Sequence, residues 1–393
     1  MTRHNNLGGK TAIVGIGATE FSKDSGRSEM SLACEAVVAA LDDAGIAPSE
    51  VDGMACFSAE TNPEVEIARH TGMGELTFFG RVHYGGGAAC GTVHQAAMAV
   101  ASGAADVVVC YRAFNERSGR RFGAGVQDFA PAANAERAQF SWYAPMGLLT
   151  PASWVAMSAM RYMHDYGATS EDFGRIAVAD RKHAATNPKA WFYQQPITLE
   201  DHQNSRWIVE PLHLLDCCQE SDGGQALVVV SAERARDLKQ KPAIIEAVAQ
   251  GASEEQHMMT GFYRDDMSNL PEMGAVARQL YAGSGLTADD LQMAILYDHF
   301  TPFVLMQLEE FGLCKRGEAK DFIKDGRIEV GGAFPINTHG GQLGEAYIHG
   351  MNGIAEGVRQ IRGTSVNPVA KVEHVLVTAG TGVPTSGLIL GHP

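Results

Sequence analysis

The chain is 393 residues long, 45% hydrophobic and 20% charged, which excludes a disordered chain and leaves room for a large core in two domains or one two-part domain. Its formal net charge of -15 at pH 7 argues against a nucleic-acid surface and against general binding to anionic membranes, though not against a phosphate held locally by arginines or a helix N-terminus. The opening MTRHNNLGGKTAIVG has no apolar signal segment and no run of about 18 apolar residues follows, while seven scattered cysteines, Cys217 and Cys218 adjacent, read as reduced thiols; a cytoplasmic protein is expected.

In chain order, TAIVGIG (Thr11 to Gly17) reads as a first strand. Met30 to Ile46 carries apolar residues at helical spacing and stops at Gly45. VDGMACFS is a second strand. From His83 to Val109, HYGGGAACGTVHQAAMAVASGAADVVV passes from a glycine turn through an alanine-rich helix into a buried strand. Such a turn gathers unpaired N–H groups and the positive end of a helix dipole at one point. Its tightest part, Gly85-Gly86-Gly87, has no side chain to attack anything. From Tyr111 to about Cys217, aromatic, polar and proline residues mix with helical pieces such as VAMSAMRYMHDYG, the pattern of a long insertion covering a site. ALVVVSAE (Ala226 to Glu233) returns to a buried strand.

A second pass then begins at KPAIIEAVAQGAS and repeats the first. AGIAPSEVDGMACF (Ala44 to Phe57) is matched without a gap by SGLTADDLQMAILY (Ser284 to Tyr297). Each half continues with a glycine loop, a small-residue helix and an apolar strand, and each closes on a strand, ALVVVSA or SGLILG. The expectation is two duplicated mixed α/β halves, residues 1–118 with 216–238 and residues 239–393. A lid or loop insertion at 119–215 interrupts the first.

With these loops in these places the chain resembles the thiolase superfamily over nearly its whole length. SDGGQALVVVSAERA is similar to the end of a thiolase first half, and LYDHFTPFVLMQLEEFGLC to the HDCF segment of the sterol-carrier-protein thiolases. The resemblance implies a five-layer α-β-α-β-α fold with four catalytic loops. Counting back from Ser102 and Gly103, the family's nucleophilic cysteine position falls on Gly86. In the His-Asp-Cys-Phe loop, here YDHF, Tyr297 stands where the family has histidine or asparagine. Counting from Asn337 in NTHGGQLGEAY, the histidine of the Gly-His-Pro motif becomes Tyr347, and the Cys-x-Gly motif reads TAG with Thr378 for the second cysteine. All four chemical positions have changed while the scaffold remains.

The subset it most resembles is the thiolase-like aldolases of bacterial steroid side-chain degradation. That resemblance implies retro-aldol cleavage of a 17-hydroxy-3-oxo-pregnene-20-carboxyl-CoA-type thioester to a 17-ketosteroid and propionyl-CoA. It implies a separate partner with an OB-fold and zinc-ribbon domain, and a homodimer formed through ADVVVCYRA, whose apolar run would otherwise be an exposed sheet edge. No cofactor is expected on this chain: coenzyme A arrives with the substrate and any zinc belongs to the partner.

The chemistry agrees. Thiolase exchange needs a cysteine thiolate to hold the acyl group, whereas a β-hydroxyacyl thioester, its own electron sink, is cleaved with one base, one acid and an oxyanion site. Tyr347 is assigned as base and Tyr297 as acid, the two being exchangeable. A phenol ordinarily has a pKa of about 10, so the base needs lowering, and His349, Asp298 and His299 are the neighbours offered for that. N–H groups at Gly86 or Gly380 are candidate oxyanion donors, and glycine at 86 is expected to leave room for a branched substrate carbon.

Plainer readings stand beside these. A tyrosine at a strand end is commonly packing, and Cys90, one turn into the helix, is a small buried thiol or an alternative nucleophile. Gly15-x-Gly17 lacks the third glycine of a dinucleotide site. Without a CxxC pair or HExxH no metal is expected, Asp298-His299 being the sole pair to consider. The four loops hold no lysine for a Schiff base. Arg112, Arg117, Arg120 and Arg121 are a solvated face or a grip on CoA phosphates. A true thiolase using Cys90 and a non-catalytic lipid-CoA carrier or scaffold remain the alternatives.

Overall fold

The computed structural model describes residues 7–119, 121–124, 141–254, 256, 261–262 and 264–393. In the first half, β1 (Thr11–Ala18) leads to α1 (Glu29–Ala44), β2 (Gly53–Phe57), β3 (Phe78–Val82), α2 (Ala89–Ser102), β4 (Val107–Asn115) and, after the insertion, β5 (Asp222–Ser231). The insertion contributes α3 (Pro151–Tyr166) and α4 (Ser170–Thr186). The second half comprises β6 (Ala243–Gly251), α5 (Pro271–Ser284), β7 (Met293–Ile295), α6 (Thr301–Glu310), α7 (Met351–Arg362), β8 (His374–Thr378) and β9 (Thr385–Gly391).

The duplication read from spacing is a structural one. The nine strands run β3-β2-β4-β5-β1-β6-β9-β8-β7, so that β1, β5, β4 and β2 are mirrored by β6, β9, β8 and β7 about the β1–β6 join. That join is narrow, with only Ala12 opposite Ile244 and Ile13 opposite Ala243. α1 and α5 stop alike, at Gly45 (φ 73°) and Gly285 (φ 77°), because a helix ending in the left-handed region favours glycine.

Five layers follow from where each apolar face is buried. On the outside of the first half, Leu32, Val37 and Leu41 of α1 pack on Val14, Val109 and Val228. In the centre, Val93 and Ala97 of α2 join Ile354 and Val358 of α7 against strands of both halves, Val108 and Leu227 on one side, Ile245 and Leu388 on the other. On the far side, α5 and α6 cover the second half through Val276, Leu280, Phe303 and Leu305, together with Tyr162 and Phe173 of the insertion. Each Leu or Val buried this way contributes about 1.5–3 kcal/mol.

Two expectations change here. The strand ADVVVCYRA does not edge the sheet: β4 pairs with β2 on one side and β5 on the other and is buried from Val107 to Phe114. The edge strand of the first half is β3, whose Phe79 is 50% exposed. This strand is five residues long and its FFGRV does not alternate, so no period announces it, and the crossover through α2 returns the chain inside it. The insertion also proves partly a buttress. Gly344 and Gly340 approach Ala184 of α4 too closely for any Cβ, and the Asn187 amide donates to the His339 carbonyl at 3.0 Å and to Glu345 at 3.1 Å, bracing the segment that leads to Tyr347. Residues 125–140 of the expected lid lie outside the described residues. Among the described residues no helix is long and apolar enough to cross a membrane.

Candidate active site

The loops after β7 and β8 and those before α2 and α7 converge on one phenol. Tyr297 follows β7 and is 2% exposed. Its N–H donates to Thr378 Oγ1 at 2.9 Å, and its carbonyl accepts from Gln307 of α6 at 2.9 Å. Thr378, at the end of β8, therefore fixes the backbone that carries the ring. Three glycines make space for that ring. A Cβ at Gly86 would lie 1.9 Å from the Tyr297 hydroxyl, one at Gly350 2.8 Å from Cε2, and one at Gly380 2.8 Å from Cε1. The room expected at Gly86 for the substrate is thus filled by Tyr297.

Tyr347, in the turn before α7, keeps partial exposure. Its hydroxyl lies 3.2 Å from that of Tyr297 and its N–H donates to Ser221 Oγ at 3.1 Å. His349, two residues on, sits edge-on to the Tyr347 ring with centroids 5.1 Å apart and stacks on Phe114. Arg112 Nε donates to its Nδ1 at 3.0 Å. A guanidinium only donates, so Nδ1 is the acceptor and the neutral ring carries its proton on Nε2, 3.5 Å from a Cβ placed at Gly85 in the glycine turn. Arg112 in turn pairs with Glu60 at 3.0 Å, both buried, and lies over Phe114. On the other side His299 rests edge-on against Tyr297 at 4.8 Å, its two ring nitrogens without hydrogen-bond partners among the described residues.

Residues 11–233 match the thiolase N-terminal domain and residues 252–391 the thiolase C-terminal domain-like family. The chain belongs to the thiolase family. It is 71% identical to the steroid side-chain-cleaving aldolase of Thermomonospora curvata, over 98% of each chain. It is 69% identical to the 17-hydroxy-3-oxo-4-pregnene-20-carboxyl-CoA lyase of Mycobacterium tuberculosis, over 98% of this chain and 100% of that one. The solved structure of the Ltp2-ChsH2(DUF35) aldolase superposes with a TM-score of 0.94 at 70% identity, covering 99% of both chains. Human mitochondrial 3-ketoacyl-CoA thiolase in complex with CoA shares the fold at a TM-score of 0.70 and 13% identity.

Within this thiolase-family scaffold several expectations are revised. Both phenols are pushed well above the ordinary phenol range, first by burial, so each is protonated at rest; none of the three neighbours offered supplies the positive charge that would lower them. Burial holds His299 at about 4 and, with Arg112 behind it, keeps His349 well below its usual value. Asp298 accepts the N–H groups of Gln342 at 2.8 Å and Leu343 at 3.0 Å, holding the 341–344 turn instead of tuning a tyrosine. The Gly380 N–H already donates to the Gly86 carbonyl at 3.1 Å, which removes it as an oxyanion donor.

Cys90 is fully buried, with its thiol 3.7 Å from the Val377 carbonyl, and burial pushes that thiol far from ionisation. Of the arginines, Arg112 lies under the site and not on a solvated face, Arg121 pairs with Glu220 at 2.6 Å, and Arg120 lies outside the described residues. Sequence reasoning missed Glu60 and Glu116. The two-residue period of a strand was the available signal, since it sets Arg112 on the face of Val108, Cys110 and Phe114, toward the centre.

Proposed function

We propose that this thiolase-family chain is a carbon–carbon lyase. It cleaves a 17-hydroxy-3-oxo-4-pregnene-20-carboxyl-CoA-type thioester by retro-aldol reaction to a 17-ketosteroid and propionyl-CoA. The observation that carries the reading is the exchange at position 86: the nucleophile's place is a glycine, and the space beside it holds the Tyr297 hydroxyl in contact with that of Tyr347. Identities of 71% and 69% to relatives named for this activity support it.

In this proposal Tyr347, the more open phenol, takes up the proton of the substrate's tertiary hydroxyl and Tyr297 protonates the departing enolate, a division the pair can exchange. The thioester oxygen, where negative charge develops, is met by the His349 Nε2–H and by the N–H groups at the start of the helix around Gly86. His349 suits that task because Arg112 fixes its tautomer and opposes its protonation. The chain holds no cofactor of its own in this reading. It acts in the cytoplasm as a homodimer with an OB-fold and zinc-ribbon partner, for which the match to an aldolase named together with ChsH2(DUF35) is the support.

The deciding experiment supplies a 17-hydroxysteroid CoA thioester, without free CoA, to the purified protein alone and with a co-expressed OB-fold partner. Equal amounts of ketone and propionyl-CoA by mass spectrometry, lost in Tyr347→Phe, are expected. Binding without cleavage in both preparations would replace the lyase with a lipid-CoA carrier.

A further inference from the structure

The retro-aldol step needs a proton acceptor, and two neutral phenols do not provide one. A buried carboxyl beside them does. Glu116 directly follows β4 and is 3% exposed. Among the described residues its Oε2 has no hydrogen-bond partner and it enters no ion pair. Other buried carboxylates of this chain are held structurally, Glu60 by Arg112 and Glu272 by Arg264. A buried carboxyl without such a partner costs stability and calls for an explanation.

Its position follows from register. Asn115 lies opposite Asp222 across β4 and β5, which sets Glu116 against Ser221. The Ser221 hydroxyl in turn accepts the Tyr347 N–H at 3.1 Å. One serine thus lies between Glu116 and the residue carrying the outer phenol, and the charge of Glu116 is felt by both Tyr297 and Tyr347.

We propose that Glu116 is the proton acceptor serving the Tyr297–Tyr347 pair, a role that rests on the retro-aldol reading above. The substrate O–H proton passes to Tyr347 Oη as the Tyr347 proton passes to the Glu116 carboxylate, directly or across one water. The freed O–H electron pair becomes the ketone C=O, the carbon–carbon bond breaks, and its pair becomes the thioester enolate. The Tyr297 O–H then protonates the α-carbon, and Glu116 returns its proton through Tyr347 to Tyr297. One proton leaves the hydroxyl and one arrives on carbon, so the step balances without a further reactant.

The surroundings suit a base working closer to neutrality than an ordinary carboxylate. Burial and the facing Glu220 raise Glu116, while Arg112 and Lys23 oppose them. Cys218, also facing it, is a neutral thiol pushed up by burial. Lys23 itself is directed at Gln219 and the Glu220 carbonyl at 2.7 and 2.5 Å and is lowered to about 8 by burial. Activity therefore rises with pH as Glu116 loses its proton.

The test compares wild type, Glu116→Gln, Glu116→Asp and Lys23→Met in steady-state cleavage across pH. Glu116→Gln is expected to lower kcat about 10²- to 10⁴-fold with KM little changed and the acid limb of the pH profile gone, and Glu116→Asp to retain part of the rate. Lys23→Met, which removes an opposing charge, is expected to move the acid limb to higher pH while keeping the plateau. A Glu116→Gln enzyme with wild-type kcat and acid limb overturns the proposal. So does an unmoved limb in Lys23→Met, which decides the matter should Glu116→Gln not fold. A wild type that cleaves nothing overturns the lyase reading itself, whereas a cleaving wild type with indifferent variants overturns only the role of Glu116.

Discussion

The loop entering α2 and the loop entering α7 hold equivalent places in the two halves, yet they have diverged in opposite directions. The first, Gly85-Gly86-Gly87, has lost every side chain at the reacting point. The second carries Tyr347 and His349 within three residues. Duplication has let one of these two loops become shape and backbone while the other supplies functional groups. The first half still acts from behind, since Glu60 and Arg112 set the tautomer of a histidine that belongs to the second.

The division is most directly broken at the second loop. Tyr347→Phe is expected to lower product formation about 10²- to 10⁴-fold, the range of a lost general acid or base, with the melting temperature unchanged by calorimetry. His349→Phe keeps the ring stacked on Phe114 but removes the N–H donor. It is expected to lower kcat about 10²- to 10³-fold in the same assay, and an unaffected rate would strip the histidine of its role.

On the silent side, Gly86→Ala tests whether absence of a side chain is itself a requirement. Its Cβ, 1.9 Å from the Tyr297 hydroxyl, must displace the phenol, and a loss of about 10²-fold in kcat is expected, as for a misplacement of about 1 Å. Full activity would mean that the glycine loop is a passive remnant. The smallest effect belongs to Thr378→Val, which withdraws one acceptor from the Tyr297 N–H while Gln307 still binds that residue's carbonyl. A stability loss of about 1–2 kcal/mol in urea unfolding and a modest fall in rate are expected.

How much of this was legible depended on whether the signal was local. The duplication was, because Ala44–Phe57 and Ser284–Tyr297 keep the same spacing of glycine, turn and apolar strand, and the sheet order repeats with it. Tyr297 was found from the likeness of YDHF to the His-Asp-Cys-Phe loop, and Tyr347 by counting from Asn337 in NTHGGQLGEAY. What the sequence hid depends on residues distant along the chain. That Tyr297 fills the space at Gly86 involves positions 86, 297, 350 and 380 together, which no period encodes. Arg112 was grouped with Arg117, Arg120 and Arg121 by proximity, although the pleat of β4 buries it among Phe57, Phe114 and Glu60. Glu116 escaped notice because a glutamate beside arginines reads as surface charge until its burial is known.

The three glycines around Tyr297 also constrain descent. They come from separate loops; Gly86 and Gly380 exclude a larger residue only while the phenol is present, and Gly350 is held to glycine by its φ of 85° as well. Restoring a cysteine at position 86 by a single codon change meets the Tyr297 hydroxyl. Shrinking Tyr297 first discards a member of the phenol pair and leaves a hole lined by glycine. Each first step back toward an acyl-transferring ancestor therefore passes through a damaged intermediate. The glycine cage acts as an evolutionary ratchet, holding the lineage to a thiol-free chemistry long after the original substitution.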